Sequence, residues 1–237
     1  MDLPPILSVR LPTKPFRLPG PDLTRTPLPS CLSFALHPGD CLVFDERPDS
    51  GSRTLLRCIC GKQPVSGGTI LLRRSPDGLI LDLCSLPDDM SIELRRTTIG
   101  LVGQPLPVVP RIAARDLVAQ PLIALGATPD DALHRVEQLF ERLRIARQVW
   151  RQSTMALSPS ERGRVAIARG LVAAKPLILL DEPGTGLDQP TRRVVTELIL
   201  EARDRGSAII GNPGDPEIRE AVATRALDLY RPAKMAA

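Results

Sequence analysis

Apolar positions in this chain alternate at strand spacing over roughly the first hundred residues, recur at helical spacing over the next fifty, and then interleave both patterns. Leu32, Phe34 and Leu36 alternate as a strand, His37-Pro38-Gly39-Asp40 reads as a turn, and Cys41-Leu42-Val43-Phe44 resumes as a buried strand. A helix is predicted over 53–60, stopped by Gly61. Strands follow at 69–72 and 79–83, separated by the turn Ser75-Pro76-Asp77-Gly78, and 95–104 returns to the core. Two helices come next, one over 113–125 and one capped by Thr128-Pro129-Asp130-Asp131, in which Leu133, Val136, Leu139, Phe140 and Leu143 share a face. Near the end, 189–203 is amphipathic through Val194, Leu198 and Ile199, 207–211 is a strand, Asp215-Pro216 opens another helix, and 226–230 closes as a strand. Eight of the first 30 residues are proline, which suits an edge strand and extended connections better than a helix.

One stretch, 157–188, carries the densest signal: LSPSERGRVAIARGLVAAKPLILLDEPGTGLD. Ser158 is placed to cap a helix, Pro159 suits its first position, and Glu161 stands three residues after the cap, as a capping box requires. Val165, Ile167, Ala168, Leu171 and Val172 form its apolar face. Leu177-Ile178-Leu179-Leu180 is then a continuous apolar run of strand length, the mark of a strand covered on both faces of a parallel sheet. Asp181 and Glu182 emerge at its carboxyl end, where open α/β sheets hold ligands. An alternative is a surface turn rich in Asp, Glu and Gly.

Composition narrows the class. A chain of 237 residues, 43% hydrophobic and 24% charged, buries a full core as an ordinary globular protein. No apolar run approaches the roughly 18–20 residues needed to span a bilayer, and the first residues lack a signal-peptide apolar core, so the expectation is a cytoplasmic protein without a transmembrane segment. Cys31, Cys41, Cys58, Cys60 and Cys84 lie mostly in apolar contexts and match no zinc spacing, which favours reduced, core-filling thiols. A net charge of +4 over mixed signs, with 3% aromatics, gives no platform for direct nucleic-acid binding.

The stretch 157–188 resembles the signature helix, Walker B strand and D-loop of ATP-binding cassette (ABC) ATPases, through Leu157-Ser158, 164–170, 179–183 and Leu187-Asp188. That resemblance implies an α/β, P-loop NTPase-like fold: a mostly parallel core sheet, a small antiparallel β-subdomain and an inserted helical subdomain. One ABC domain over 1–237 is expected, with core and β-subdomain at about 1–104 and 157–237 and the helical subdomain at about 105–156. It implies ATP and Mg²⁺ as cofactors. Gln104 matches the Q-loop glutamine, Asp181 the Mg²⁺-organising aspartate, and Glu182 the carboxylate that polarises the attacking water.

The other motifs depart from the family pattern. A P-loop needs GxxxxGK[ST], so that backbone N–H groups approach the phosphates, Lys neutralises them and a hydroxyl ligates Mg²⁺. The equivalent loop here runs Glu46-Arg47-Pro48-Asp49-Ser50-Gly51-Ser52-Arg53-Thr54, with Glu46 at the first glycine, Ser52 at the lysine and Arg53 at the metal-binding hydroxyl. A one-residue slip would make Arg53 the lysine and Thr54 the metal ligand, but Arg47 and Ser52 would then stand at glycine positions. Lys14, Lys62, Lys175 and Lys234 all lie outside the loop. Losing one charge-assisted phosphate contact costs roughly 1.5–3 kcal/mol. A carboxylate about 4 Å from a triphosphate adds on the order of 1–4 kcal/mol of repulsion, weakening binding by roughly two to five powers of ten in all. The signature reads Ser158-Pro159-Ser160, leaving Ser158 and the helix N-terminus as a weaker anion site, and Gly214 stands where the switch histidine belongs. His37 and His134 lie elsewhere. Phe16 is the candidate for stacking on adenine.

Within the family, 104–112, Gln120-Pro121-Leu122, 208–225 and 28–57 look like PhnL-type subunits of the bacterial carbon–phosphorus lyase system. This implies phosphonate breakdown, a carbon–phosphorus lyase core complex as partner, and pairing with a PhnK-like ABC subunit or as a homodimer. The expectation is a degenerate cassette with impaired ATP binding and a structural or regulatory role. The alternatives are an active ATPase using Arg53 and Thr54, and the ATP-binding subunit of an importer.

Overall fold

The computed structural model describes residues 4–11, 32–44, 51–63, 65, 67–107 and 109–229. Five strands form a parallel sheet in the order β6-β7-β8-β3-β9: β3 is Cys41–Phe44, β6 Ile99–Val102, β7 Leu177–Asp181, β8 Ala208–Asn212 and β9 Arg225–Leu227. A second sheet is antiparallel, in the order β2-β1-β4-β5, from β1 (Leu7–Leu11), β2 (Leu32–Leu36), β4 (Thr69–Arg73) and β5 (Ile80–Asp82). The α/β class and the division into a parallel and an antiparallel sheet are as the sequence leads one to expect.

Alternation of side chains along the parallel strands divides the core in two. Leu177 and Leu179 of β7, with Leu42, Phe44 and Ile210, face a cluster shared with the antiparallel sheet and with helix α1 (Ser52–Ile59). Ile178 and Leu180, with Val43 and Ile209, face the opposite cluster. That second cluster is closed by α3 (Ala114–Ala124), α4 (Pro129–Arg142), α5 (Arg147–Trp150), α6 (Pro159–Leu171), α7 (Gln189–Asp204) and α8 (Pro216–Val222). With helices on one face and a sheet plus helix on the other, β7 is apolar and buried over 177–180 and turns polar only at its last residue, Asp181.

Local chemistry sets the helix ends. Thr128 caps α4 by accepting from the Asp131 amide at 3.2 Å, and Asp188 caps α7 by accepting from the Thr191 amide at 2.9 Å. The hydrogen bond to Thr191 holds the Asp188 carboxyl below the usual carboxylate range. Arg164 of α6 reaches the same Asp188 at 3.0 Å and so fastens α6 to the start of α7.

Several elements differ from expectation: β1, in the segment read as an edge strand, lies between β2 and β4, and the short α5 was not foreseen. A helix, α2 (Asp88–Thr97), occupies ground read as connection and core return, leaving only 99–102 of that segment as strand. Its buried side chains are Ser91 and Leu94, too few for a visible helical stripe; Asp88 and Asp89 at its start and Arg95 and Arg96 at its end complement the helix dipole instead. The closing strand is 225–227, shorter and earlier than 226–230. Phe16 and residues 45–50, including Ser50, lie outside the described residues.

Lys175, just before β7, is buried, and its Nζ donates to the carbonyls of Arg95 at 2.7 Å and Ile99 at 3.0 Å. Burial, helped by repulsion from Arg169, lowers its pKa to about 8. The unfolded chain keeps that proton to a pH near 10.5, so between the two values the unfolded state binds more protons and the contribution of Lys175 to stability rises with pH. Against Lys175→Met, which lacks the titration, the wild-type chain should gain relative stability from pH 8 towards 10 in paired urea titrations. A flat difference across that window would show that Lys175 does not titrate there.

Candidate functional site

β7 and β8 deliver the polar residues to one end of the parallel sheet. Asp181 ends β7, paired in register with Asn212, and Glu182 follows with its amide donating to the Asn212 carbonyl at 2.8 Å. Glu182 adopts the left-handed region at φ 56°, a conformation that costs a non-glycine residue about 1–2 kcal/mol. Gly103, immediately after β6, lies so close to β7 that a β-carbon there would come within 2.2 Å of the Asp181 carbonyl oxygen. This close approach sets the following residue, Gln104, beside the two acids. The described lining of the resulting cleft, of about 550 Å³, consists of Arg53, Arg57, Lys62, Gly103, Gln104, Pro105, Asp181 and Glu182.

Arg53, from the first turn of α1, bridges both carboxylates. Its Nε donates to Asp181 Oδ1 at 3.2 Å and one Nη to Glu182 Oε2 at 3.4 Å. The arginine side chain is 63% exposed, Glu182 45% and Asp181 16%, so solvent screens the pair and its net worth is about 0.2–1 kcal/mol. Its importance is therefore occupancy rather than stability. Lys62 Nζ donates to Gln104 Oε1 at 2.7 Å, which engages the third polar group of the cleft.

Among the sequence-derived candidates, Asp181, Glu182, Gln104 and Arg53 meet in this cleft, while Gly51, Ser52, Thr54 and Ser158 are not among its described lining residues. Gly51 precedes α1 as its N-cap, without a side-chain cap. Ser158 is committed elsewhere: its hydroxyl donates to Glu161 Oε2 at 2.7 Å, its amide donates to the same oxygen at 2.8 Å, and it accepts from the Glu161 amide at 3.3 Å. The predicted capping box is thus complete, and those hydrogen bonds hold the Glu161 carboxyl below its ordinary range. The helix start read as a weak anion site carries an anion of its own.

Lys62 is the residue that position along the chain led one to discount. Helix α1 has eight residues and rises only about 12 Å, so a lysine just past its end can reach back to the cleft its first turn opens on. The glycine that closes α1 at 61, followed directly by Lys62, was the available signal. Opposite, Gly214 has φ 74°, and a β-carbon there would meet the Glu182 Cα at 2.8 Å. His37 is exposed and its amide bonds Asp40, while the His134 ring bonds Gln138, so neither approaches the cleft.

The model for ABC transporters matches residues 30–185. The chain belongs to the ABC transporter family. Among curated relatives of this cassette, the lipoprotein-releasing system ATP-binding protein LolD of Pseudomonas fluorescens is 34% identical over 173 residues, covering 73% of each chain. LolD of Alcanivorax borkumensis is 30% identical over 174 residues with the same coverage. The macrolide export ATP-binding/permease protein MacB of Aggregatibacter actinomycetemcomitans is 28% identical over 198 residues, 84% of this cassette but 30% of that longer protein. In fold, the cassette superposes on the dimeric structure of MJ0796, a bacterial ABC transporter cassette, with a TM-score of 0.78, 21% identity and 94% of both chains covered. Another structure of MJ0796 is described as a post-hydrolysis state bound to ADP and Pi.

The family normally uses ATP and Mg²⁺, and the cassette's residues can be tested against each. Asp181, Glu182 and the Gln104 amide oxygen are hard oxygen donors of the type a small dication takes. All three are already engaged by Arg53 or Lys62, and a dication among them would sit against two positive charges. The donor set as arranged does not fit Mg²⁺. For the triphosphate, Arg53, Arg57 and Lys62 offer positive charge, but the two carboxylates line the same cleft.

The backbone at Glu182 yields a direct check. With the side chain removed in both, Glu182→Gly should be more stable than Glu182→Ala by about 1–2 kcal/mol in urea unfolding, because glycine adopts positive φ without the steric cost. Equal stabilities would mean that residue 182 is not held in the left-handed region in solution.

Proposed function

We propose that this chain is an ABC-cassette subunit whose own nucleotide site does not hydrolyse ATP and which works by pairing with a second cassette. The observation that carries the reading is the Arg53 bridge to Asp181 and Glu182. The carboxylate that would polarise an attacking water and the one that would organise the metal are both tied to an internal cation. Three further features support it: Glu46 and Asp49 in the phosphate loop, the Glu161 carboxylate at the start of α6, and the glycine at 214 in place of a switch histidine. Phosphoryl transfer depends on positioning and charge stabilisation almost alone, so losing these parts together removes the reaction.

For the assembly in which it works, the named relatives are ATP-binding proteins of lipoprotein-releasing and macrolide-export systems, which favours a membrane transport complex containing a second cassette. The PhnL-like segments 104–112 and 208–225 favour a second reading: a subunit of the carbon–phosphorus lyase machinery, paired with a PhnK-like chain or with itself. No relative among those above carries a phosphonate name. Purification from the native cell separates the two, since a permease recovered with the chain supports the first and carbon–phosphorus lyase subunits support the second.

Hydrolysis is the decisive measurement. The isolated chain with ATP and Mg²⁺ should release phosphate at the background rate, and Glu182→Gln should leave that rate unchanged. By calorimetry, ATP affinity should fall about two to five powers of ten short of a competent site. Steady turnover that Glu182→Gln abolishes, or micromolar binding lost in Asp181→Asn, would overturn the reading.

A further inference from the structure

We infer that the Arg53 guanidinium takes the place of a divalent cation on Asp181 and Glu182 at the end of β7, so that the two acids do not take up metal while it is there. The inference rests on the reading of this cleft as a degenerate ABC nucleotide site and goes beyond it by naming what fills the metal position. Asp181 and Glu182 project from consecutive residues, and the Gln104 amide oxygen lines the same cleft. Left to themselves, three such oxygen donors suit a hard dication. The chain instead places a monocation on the two acids, Nε on one carboxylate and Nη on the other, and a second, Lys62, on the amide.

The geometry favours exclusion by charge rather than by bulk. Arg53 is mostly exposed, so it does not seal the cleft; it compensates the carboxylates from the solvent side. An incoming dication must either displace the arginine or share the acids with it. Arg57, on the next turn of α1, also lines the cleft and raises the positive field around the same position.

The test needs no nucleotide and no turnover. Thermal unfolding of the full chain is followed with Mn²⁺ raised from zero to about 5 mM, for the wild type, Arg53→Thr, Arg53→Lys and the double variant Arg53→Thr/Asp181→Asn. The wild type and Arg53→Lys should not shift. Arg53→Thr, which removes the cation and adds a hydroxyl donor, should gain about 2–5 °C, as expected for a ligand at several times its dissociation constant. The double variant should lose that gain. Circular dichroism of each variant before titration establishes that it is folded. A wild-type shift as large as that of Arg53→Thr overturns the inference, as does a folded Arg53→Thr that does not respond or a double variant that keeps the full shift. Failure of the functional reading is separable: ATP turnover by the wild type would end the claim of a non-hydrolysing site, yet turnover that persists in excess EDTA would leave the metal-replacing role of Arg53 standing.

Discussion

β7 lies between β6 and β8 with Leu177 and Leu179 turned into one core and Ile178 and Leu180 into the other, and no residue of 177–180 meets solvent. A strand covered on both faces has nowhere to place a charge until it leaves the sheet, because an unpaired carboxylate inside would cost several kcal/mol or take up a proton. Asp181 and Glu182 therefore appear at the first point where the sheet allows them. The other parts of the site are arranged around that point. β6 ends against it through the close approach of Gly103, β8 hydrogen-bonds to it at Asn212, and α1 begins above it. The same alternation that builds the two cores thus fixes where polar chemistry is possible.

What occupies that point differs from a ligand-ready site in its charge balance. Two acids at a strand end are a demand for positive charge, which a bound metal, a nucleotide with its counterion, or a side chain can meet. Here the demand is met from within, by Arg53 on the acids and Lys62 on the neighbouring amide. At the start of α6 the opposite demand, for negative charge at a helix N-terminus, is likewise met from within by Glu161. At both places a side chain of the chain itself supplies charge opposite to the local demand.

How much of this could be read in advance follows from the range of the forces involved. Strand β7, the capping box at Ser158 and the cap at Thr128 are written in a few adjacent residues, and the structure has them where the local pattern puts them. Helix α2 was missed because its stability comes from two buried side chains and from charges at its ends rather than from an apolar stripe. The family motifs named Asp181, Glu182, Gln104 and Arg53, but spacing along the chain could not show that Arg53 reaches both acids or that Lys62 reaches Gln104, 42 residues away. Those are through-space electrostatic choices. The left-handed backbone of Glu182 was equally hidden, because nothing in the residue type asks for it.

That backbone also limits what can stand opposite it. Glu182 and Gly214 face each other with positive φ on both sides, and a β-carbon at 214 would fall 2.8 Å from a main-chain atom that cannot swing aside. Any side chain at 214, a histidine included, would force the two loops apart. A side chain at 214 thus becomes admissible only after the path of the 212–215 loop has moved. What can stand at 214 is, in this sense, set by the main chain around it rather than by neighbouring side chains.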